Sequence, residues 1–212
     1  MGVTAWRRSV LFIMVVLGWM TSASAVTAQS DQDVVRVQIE TAEGVIGVEI
    51  YVDSAPITAR NFLTYTDDGV FDGGSFFRSV RMDNQPNDSV RIEVIQGGPD
   101  RGTPRERLNP PIPLERTSRT GLRHVDGALS MARGGLDSGQ SQFFICVGDQ
   151  PSLDFGGTRN LDGQGFAVFG RVISGMDVVR RIQMSAVEAQ QLVDPVSIRR
   201  IRREGPGALA PG

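Results

Sequence analysis

The chain contains no lysine, one cysteine and one histidine, so its 22 basic residues are all arginines. Without lysine it can neither form a lysine Schiff base nor supply the lysine of a phosphate-binding P-loop. A single cysteine excludes an internal disulfide and every multi-cysteine metal site, and a single histidine excludes metal sites that need two. We therefore expect no metal site.

An excess of charge of one sign is also missing, because 24 acidic residues nearly balance the 22 arginines and leave a net charge of −2. This balance argues against nucleic-acid binding that depends on overall basicity. Apolar residues make up 40% of the 212 residues, which is typical of a globular domain with a packed core. The sequence has no internal repeat and no linker, so we expect one folded domain and no nucleic-acid partner.

The amino-terminal residues 1–28 have the pattern of an export signal. A short positive region, Arg7–Arg8, precedes the apolar run Val10–Met20. Two patterns of small residues that are typical of cleavage sites follow, one ending at Ala25 and the other at Ala28. The eleven residues of this run are fewer than the about 20 that a helix needs to span a bilayer, which disfavours a membrane anchor. We predict a signal peptide cleaved after Ala25 or Ala28, with no stable membrane anchor afterwards.

The folded domain is predicted over residues 29–204, followed by a flexible tail over 205–212. One helix is predicted to start at the N-cap Ser54 and to end at Gly69, and a second to cover 175–184. Eight short segments rich in β-branched residues are predicted as strands: Val34 to Glu40, Val45 to Tyr51, Ser75 to Val80, Arg91 to Gln96, Gly127 to Ala132, Gln142 to Val147, Phe166 to Ile173 and Val196 to Arg203. This order predicts a mainly β domain, a closed or nearly closed barrel with helices at its ends.

The last predicted strand is rich in arginine, with Arg199, Arg200, Arg202 and Arg203 in close succession. Two interpretations are open. The first is a solvated edge strand whose charges discourage pairing with another chain, and the second is a docking patch for an anionic partner. We favour the edge strand.

Three strongly apolar segments contain a polar side chain. Arg78 follows two phenylalanines, Gln96 precedes a glycine pair, and Gln142 precedes the pair Phe143–Phe144. A buried polar group without a partner costs about 1–3 kcal/mol, so these groups need partners or a function. If they converge beside the aromatic residues, they form a mostly apolar site with a few directional hydrogen-bonding groups.

The motifs FFR, VIQGG, ALSMAR, SQFFICVG and GFAVFGRV occur in this order in the chain. Together they resemble the cyclophilin family of peptidyl-prolyl cis-trans isomerases, and the resemblance extends from Val34 to Ile201. It implies a closed eight-stranded antiparallel β-barrel capped by two α-helices, with the substrate groove on the outer surface. It also implies a secreted protein of the bacterial, periplasmic type that acts on proline-containing polypeptides.

The resemblance assigns roles residue by residue. Arg78 takes the position of the catalytic arginine, and Gln96 that of the glutamine that orients the substrate backbone. Gln142 matches a groove glutamine and Phe144 the floor of the proline pocket. Val94 lies where the family has a pocket methionine.

Four further positions follow from the same motifs. Ala132 and Arg133 match the segment that binds substrate through backbone groups, Leu153 matches the pocket leucine, and Phe166 takes a pocket position that is histidine in many eukaryotic members. We expect a monomer without cofactor or metal.

Arginine fits the chemistry of the reaction. The X-Pro bond has a rotation barrier of about 18–20 kcal/mol because the nitrogen lone pair is delocalised into the carbonyl. The guanidinium of Arg78 is always charged and has a rigid fork of donors, so it suits the lone pair that localises in the twisted state. No nucleophile is required.

Two departures from the family pattern concern the site. The spacing from Arg78 to Gln96 is longer than usual, which predicts an extra polar loop over residues 81–90 beside the groove. Glu93 and Val94 replace the usual Phe-Met pair, and a carboxylate is a poor lining for an apolar pocket. Catalysis is therefore expected to be slower or more selective than in typical members.

These departures leave two alternatives open. The groove could hold proline segments without catalysis, as a chaperone or scaffold, or the barrel could be hollow and carry a ligand, as in lipocalins. The dense pattern of apolar residues favours a filled barrel. Outside the groove motifs, we expect His124 to be a hydrogen-bonded structural residue and Cys146 a buried thiol.

Overall fold

The computed structural model describes residues 1–2, 34–85 and 89–205. All helices and strands described below belong to one compact unit. None of the described helices is long and apolar enough to cross a membrane.

The signal peptide predicted over 1–28 lies outside the described residues, apart from residues 1–2. The tail predicted over 205–212 is described only at Gly205. Both remain predictions.

The strands of the described chain form one antiparallel sheet, in which β1, β2, β7, β5, β6, β4, β3 and β9 are successive neighbours. Because β9 also pairs with β1, these eight strands close into a barrel, and the two-residue β8 pairs with β9 outside the ring. The closed eight-stranded barrel predicted from the sequence is confirmed. The strands are β1 (Val34–Thr41), β2 (Gly44–Tyr51), β3 (Ser75–Val80), β4 (Val94–Gly98), β5 (Ala128–Met131), β6 (Phe143–Cys146), β7 (Ala167–Ser174), β8 (Val187–Glu188) and β9 (Gln191–Arg203).

Both predicted helices are present, as α1 (Pro56–Asp67) and α3 (Met176–Gln183). A single helical turn, α2 (Thr117–Thr120), and two 3₁₀ turns, Arg105–Arg107 and Pro151–Leu153, were not predicted. Such short turns leave no periodic apolar pattern in the sequence, because they are only three or four residues long.

The start of α1 differs from the prediction. Ala55, not Ser54, occupies the N-cap position, and its side chain makes no capping hydrogen bond. The carboxylate of Glu115 does so instead, accepting from the backbone N–H groups of Ile57 at 3.1 Å and Thr58 at 2.8 Å. A carboxylate at this end is also favoured by the helix dipole, although sequence proximity gives no hint of it.

The barrel interior is filled rather than hollow. The ring of Phe62, from α1, lies with its centroid 5.1 Å from Phe71, 5.5 Å from Phe143 and 5.1 Å from Phe169. All four side chains are almost fully buried, together with Phe76 from β3. This packing contradicts the alternative of a hollow, lipocalin-like barrel that carries a ligand inside.

β9 as a whole is not an edge strand, because β3 pairs with its residues 191–197 and β1 with its residues 198–203. Its arginine-rich end pairs with β1 but not with β3, so the predicted edge position is wrong for the strand as a whole and holds only for that end. Its four arginines are exposed, and three of them have carboxylate partners on neighbouring elements. Arg200 and Arg202 both donate to Glu40, and Arg203 donates from Nε and Nη2 to the two carboxylate oxygens of Asp67. These pairings also leave little positive charge for an anionic partner.

Candidate active site

A β-bulge in β3 brings Arg78 to the outer surface of the barrel. Phe76 faces the core and is fully buried, so strict alternation would turn Arg78 inward as well. The pairing of β3 with both β4 and β9 shifts register between Phe76 and Arg78. Phe77 takes up the extra position, and Arg78 therefore faces outward.

The register of the sheet then places three predicted site residues in one row. Arg78 on β3 is paired with Gln96 on β4, and Gln96 is paired with Phe144 on β6. Paired residues point to the same face of a sheet, and neighbouring strands are about 4.8 Å apart, which puts the Arg78 and Phe144 backbones about 10 Å apart.

Side-chain hydrogen bonds join four residues across this row, and we call them the polar chain: Gln190, Arg78, Gln96 and Gln142. Arg78 donates from Nη1 to Gln96 Oε1 at 2.9 Å and from Nε to Gln190 Oε1 at 3.1 Å. Gln96 donates from Nε2 to Gln142 Oε1 at 2.9 Å. The direction of donation fixes the orientation of the Gln96 amide, because its oxygen faces the cation.

The predicted apolar residues form a second group on the same face, which we call the outer apolar cluster. Its buried members are Val80, Ile92, Val94, Ala128, Phe144, Cys146, Leu153 and Val168, with Phe166 and Ala132 packed against them. Phe166 lies edge-on to Phe144 at 5.3 Å, and its backbone N–H donates to Leu153 O at 3.0 Å. Because Phe144 is only 5% exposed, the cluster offers a shallow surface in which Phe166 is the more accessible ring.

The insertion after β3 accounts for the unusual residues before Gln96. Glu93 lies beside α3, where its carboxylate accepts from Gln183 Nε2 at 3.3 Å, and does not belong to the outer apolar cluster. Ile92, which follows the insertion, is buried in that cluster with Val94. The side chain of Gln85 closes the loop by hydrogen bonds to both the N–H and the carbonyl of Ile92. The apolar surface is thus kept by a residue that the family motif does not identify.

A buried polar group supports the aromatic residues from below. The ring of His124 stacks on Phe144 with a centroid distance of 6.0 Å, and its nitrogens lie 2.7 Å from Asp154 Oδ1 and 3.0 Å from Ser130 Oγ. Burial lowers the pKa of His124 and outweighs the opposing effect of Asp154. Burial raises the pKa of Asp154, but the hydrogen bonds from the His124 ring and backbone outweigh it, so the net direction is downward. As expected, His124 is a buried, hydrogen-bonded residue.

Arg133 supports the other side of Phe166. Its guanidinium lies 5.2 Å from the Phe166 ring centroid, donates to Gly165 O at 2.7 Å and forms two hydrogen bonds with Asp162. The hydrogen bond from Arg133 is the main reason why the pKa of Asp162 is lowered to about 2. The side chain of Arg133 is therefore committed to the wall of the site.

Two open recesses flank the polar chain. One, of about 370 Å³, is lined by Gln96, Ala132, Arg133 and Gln142 among others. The other, of about 490 Å³, shares Gln142 with the first and extends to Phe77. An extended peptide has room on this side of the row.

The described residues contain no group of three or more side chains of the kinds that bind metal ions. Cys146 is buried in β6, and burial raises the pKa of its thiol, so the group stays protonated.

The structure brings all nine predicted site residues together on one face of the barrel. Arg78, Gln96 and Gln142 belong to the polar chain, and the others line or support the outer apolar cluster or the adjoining recess: Val94, Ala132, Arg133, Phe144, Leu153 and Phe166. Two residues of this face, Gln190 and Ile92, were not predicted as site residues. Ile92 lies in the predicted strand Arg91 to Gln96, two residues before Val94, so its apolar side chain was a usable signal, whereas nothing in the local sequence distinguishes Gln190.

Comparisons with known proteins agree with this geometry. The family model described as cyclophilin type peptidyl-prolyl cis-trans isomerase/CLD matches residues 36–203. A peptidyl-prolyl cis-trans isomerase from Acinetobacter baylyi is 34% identical over 171 residues, which are 80% of this chain and 80% of that protein. Peptidyl-prolyl cis-trans isomerase A from Dickeya dadantii is 32% identical over 183 residues, 86% of this chain and 87% of its own.

A solved structure shows the same fold. A cyclophilin type peptidyl-prolyl cis-trans isomerase from Cryptosporidium parvum aligns with a TM-score of 0.64 at 21% identity, covering 81% of this chain and 98% of its own. The barrel, the order of its motifs and the match to the family model lead to one conclusion: the chain belongs to the cyclophilin family of peptidyl-prolyl cis-trans isomerases.

Proposed function

We propose that Arg78 is the catalytic residue of this isomerase and that the outer apolar cluster beside it binds the proline ring. One observation carries the proposal: the bulge in β3 turns Arg78 outward, and Gln96, which binds its guanidinium, is paired with Phe144 on the next strand. A fixed cation thus lies two strands from an aromatic surface, a separation that an X-Pro dipeptide with its flanking backbone can span.

The polar chain acts on the peptide bond as it twists. In the planar state the proline nitrogen shares its lone pair with the carbonyl, and in the twisted state that pair becomes localised. A guanidinium that faces the nitrogen interacts more strongly with the localised pair, so it stabilises the transition state more than the substrate. No proton is transferred, and arginine stays charged at every relevant pH.

Gln96 and Gln142 orient the substrate backbone in this scheme. The Gln96 amide is polarised between the cation and Gln142, because its oxygen accepts from Arg78 and its nitrogen donates to the second glutamine. Gln142 is exposed, so its amide nitrogen is available to a carbonyl of the peptide. Such donors hold one side of the bond while the other rotates.

The apolar half grips the ring. Phe144 and Leu153 are almost fully buried and form the floor of the site, and Phe166, which lies edge-on to Phe144, forms its side. A shallow site of this kind suits a five-membered ring, and the recesses beside Gln142 accept the residues next to proline. Ala132 lines one recess, where its carbonyl is the backbone group offered to the peptide, because its N–H donates to Gln142 O at 2.9 Å.

We further propose that the substrates are proline-containing segments of exported polypeptides and that the protein acts in the periplasm. The support is the sequence of residues 1–28, with its positive region, short apolar run and two small-residue cleavage sites. Expression of the full chain with a carboxy-terminal tag, fractionation and amino-terminal sequencing test this. A mature form that starts near Val26 or Gln29 outside the cytoplasm supports it, and an uncleaved cytoplasmic chain overturns it.

The catalytic role is tested with an X-Pro peptide in a protease-coupled assay. We expect Arg78→Ala to lower kcat/KM by about 10²- to 10³-fold, the usual cost of one preorganised donor. Arg200→Ala is the matched control, since that arginine is exposed on the outer barrel face and paired with Glu40. If Arg78→Ala retains wild-type activity, the assignment fails. If the wild-type chain binds the peptide without acceleration, the groove is a binding module rather than an active site.

A further inference from the structure

Gln190 contacts the Arg78 guanidinium from the side opposite to Gln96. Its single oxygen, Oε1, accepts from Nε of Arg78 at 3.1 Å and also from Nη2. Gln96 accepts from the remaining nitrogen, Nη1, at 2.9 Å. Two neutral amides therefore bind the two ends of the guanidinium, and all three of its nitrogens are engaged.

The fold fixes the backbone of Gln190 next to that of Arg78. Gln190 occupies the tight turn between β8 and β9, after Ala189, whose φ of 56° lies in the left-handed region. Its carbonyl accepts from the backbone N–H of Ser79 at 2.9 Å, and Ser79 directly follows Arg78. The backbone of Gln190 is thus hydrogen-bonded to the residue that directly follows Arg78, and this places the Gln190 side chain next to the guanidinium that it binds.

The far end of the Gln190 amide faces the insertion after β3. Its Nε2 lies 3.4 Å from the carbonyl oxygen of Asn84. Asn84 is itself held in a turn, since its side chain accepts from the Arg81 backbone N–H at 2.8 Å and donates to Ser79 O at 3.0 Å. This contact sets the orientation of the amide, with its oxygen toward the cation.

Orientation matters because arginine is a long side chain that has many accessible rotamers when it is unrestrained. A neutral amide restrains the guanidinium without cancelling its charge, whereas a carboxylate at the same place would form an ion pair and weaken the field at the peptide nitrogen. The two glutamines therefore restrain the cation while adding no charge of their own.

We propose that Gln190 is a positioning residue, which holds the Arg78 guanidinium in its catalytic orientation and links it to the insertion loop. The proposal rests on the proposed catalytic role of Arg78. It assigns a function to the turn between β8 and β9, which none of the sequence motifs includes.

The test uses Gln190→Met, which keeps the length of the side chain and removes the acceptor, with Gln190→Ala as a second variant. The matched control is Val193→Ala, an exposed residue further along β9. We expect kcat for an X-Pro peptide to fall about tenfold in both Gln190 variants, less than the roughly hundredfold cost of a 1 Å misplacement. KM and Tm should stay close to those of the wild type and of the control.

A separate variant, Gln190→Glu, tests the importance of a neutral partner for Arg78. Gln190→Glu keeps an acceptor in place but adds a negative charge, so we expect kcat to fall although the guanidinium stays fixed. The side-chain ¹⁵N spectrum reports the restraint directly: the Arg78 Nε–H signal should shift and exchange faster with water in Gln190→Met, but not in Gln190→Glu.

A double variant separates the two levels of the proposal. In the Arg78→Ala background, Gln190→Met should cause no further loss, because it acts through the removed guanidinium. A further loss there, or an unchanged kcat in Gln190→Met while Arg78→Ala is impaired, overturns the role of Gln190 alone. Full activity in Arg78→Ala overturns the proposed function, and this inference with it.

Discussion

The polar chain and the outer apolar cluster lie side by side on the barrel wall, but they differ in how their side chains are held. In the polar chain, Gln142 is exposed and the other three residues are half-buried. Their positions therefore depend on side-chain hydrogen bonds for which water can still compete. In the cluster, Phe144 and its buried neighbours are held by packing. A truncation in the polar chain should therefore reduce catalysis with little cost in stability, whereas a truncation in the cluster should reduce both.

Phe144→Ala is expected to have the largest effect, because it should reduce both stability and substrate binding. The ring is 5% exposed and contacts Phe166 and His124, so its removal leaves a cavity that the barrel cannot close. Truncation of a buried phenylalanine costs about 3–5 kcal/mol. Urea unfolding should show a loss of this size together with a raised KM. An unchanged free energy of unfolding would mean that the cluster does not depend on this ring.

Asp154→Ala is expected to have the next largest effect, through the support beneath Phe144. It leaves the ring nitrogen and backbone N–H of His124 without their shared acceptor, which costs about 1–3 kcal/mol for buried groups. We expect Tm to fall by about 2–4 °C for each kcal/mol lost. Exposed Asp194→Ala is the control, and an equal Tm in both variants contradicts a supporting role.

The dependence of stability on pH sharpens the contrast between the two regions. Burial lowers the pKa of His124 from its ordinary 6.5, so below that pH the unfolded chain binds a proton that the folded chain does not. Stability should therefore decline as the pH falls through this range, while kcat stays flat because Arg78 keeps its charge. Thermal melts of the wild type and of His124→Gln measure this, and an equal slope in both would exclude His124 as its source.

Asp162→Asn is expected to have the smallest effect. The pKa of Asp162 is about 2, so its pair with Arg133 is intact at neutral and mildly acidic pH, but the carboxylate is solvent-exposed and screened by salt. Arg133 keeps its hydrogen bond to Gly165 and its position over Phe166. We predict a small rise in KM at low salt that disappears at high salt, with kcat unchanged. A large loss of kcat would place Arg133 in the polar chain instead.

Much of the fold could be predicted because its signals are local. Strands show as alternation, α1 as an apolar face after a proline, and the filled interior as a high density of aromatic and β-branched residues. Non-local features could not be predicted in this way. The cap that Glu115 supplies to α1 and the pairing of β9 on both edges depend on chain closure, which the alternation within one strand does not record.

The site follows the same rule. Alternation alone turns Arg78 inward, because the bulge that turns it outward is visible only in the pairing of β3 with β4 and β9. The motifs nevertheless assigned Arg78 and Gln96 to the site, because a match to a family motif does not require the bulge to be predicted. They did not include Ile92, which lies between the insertion and the VIQGG motif, or Gln190, which lies in a turn outside every motif.

The most direct test of a cation that acts on the transition state measures binding and turnover in the same sample. Exchange spectroscopy on a proline peptide with Arg78→Ala gives the dissociation constant and the isomerisation rate together. We predict near wild-type affinity with an exchange rate reduced about 10²- to 10³-fold. Weakened binding with an unchanged rate for the bound peptide would instead make Arg78 a substrate anchor and contradict the account.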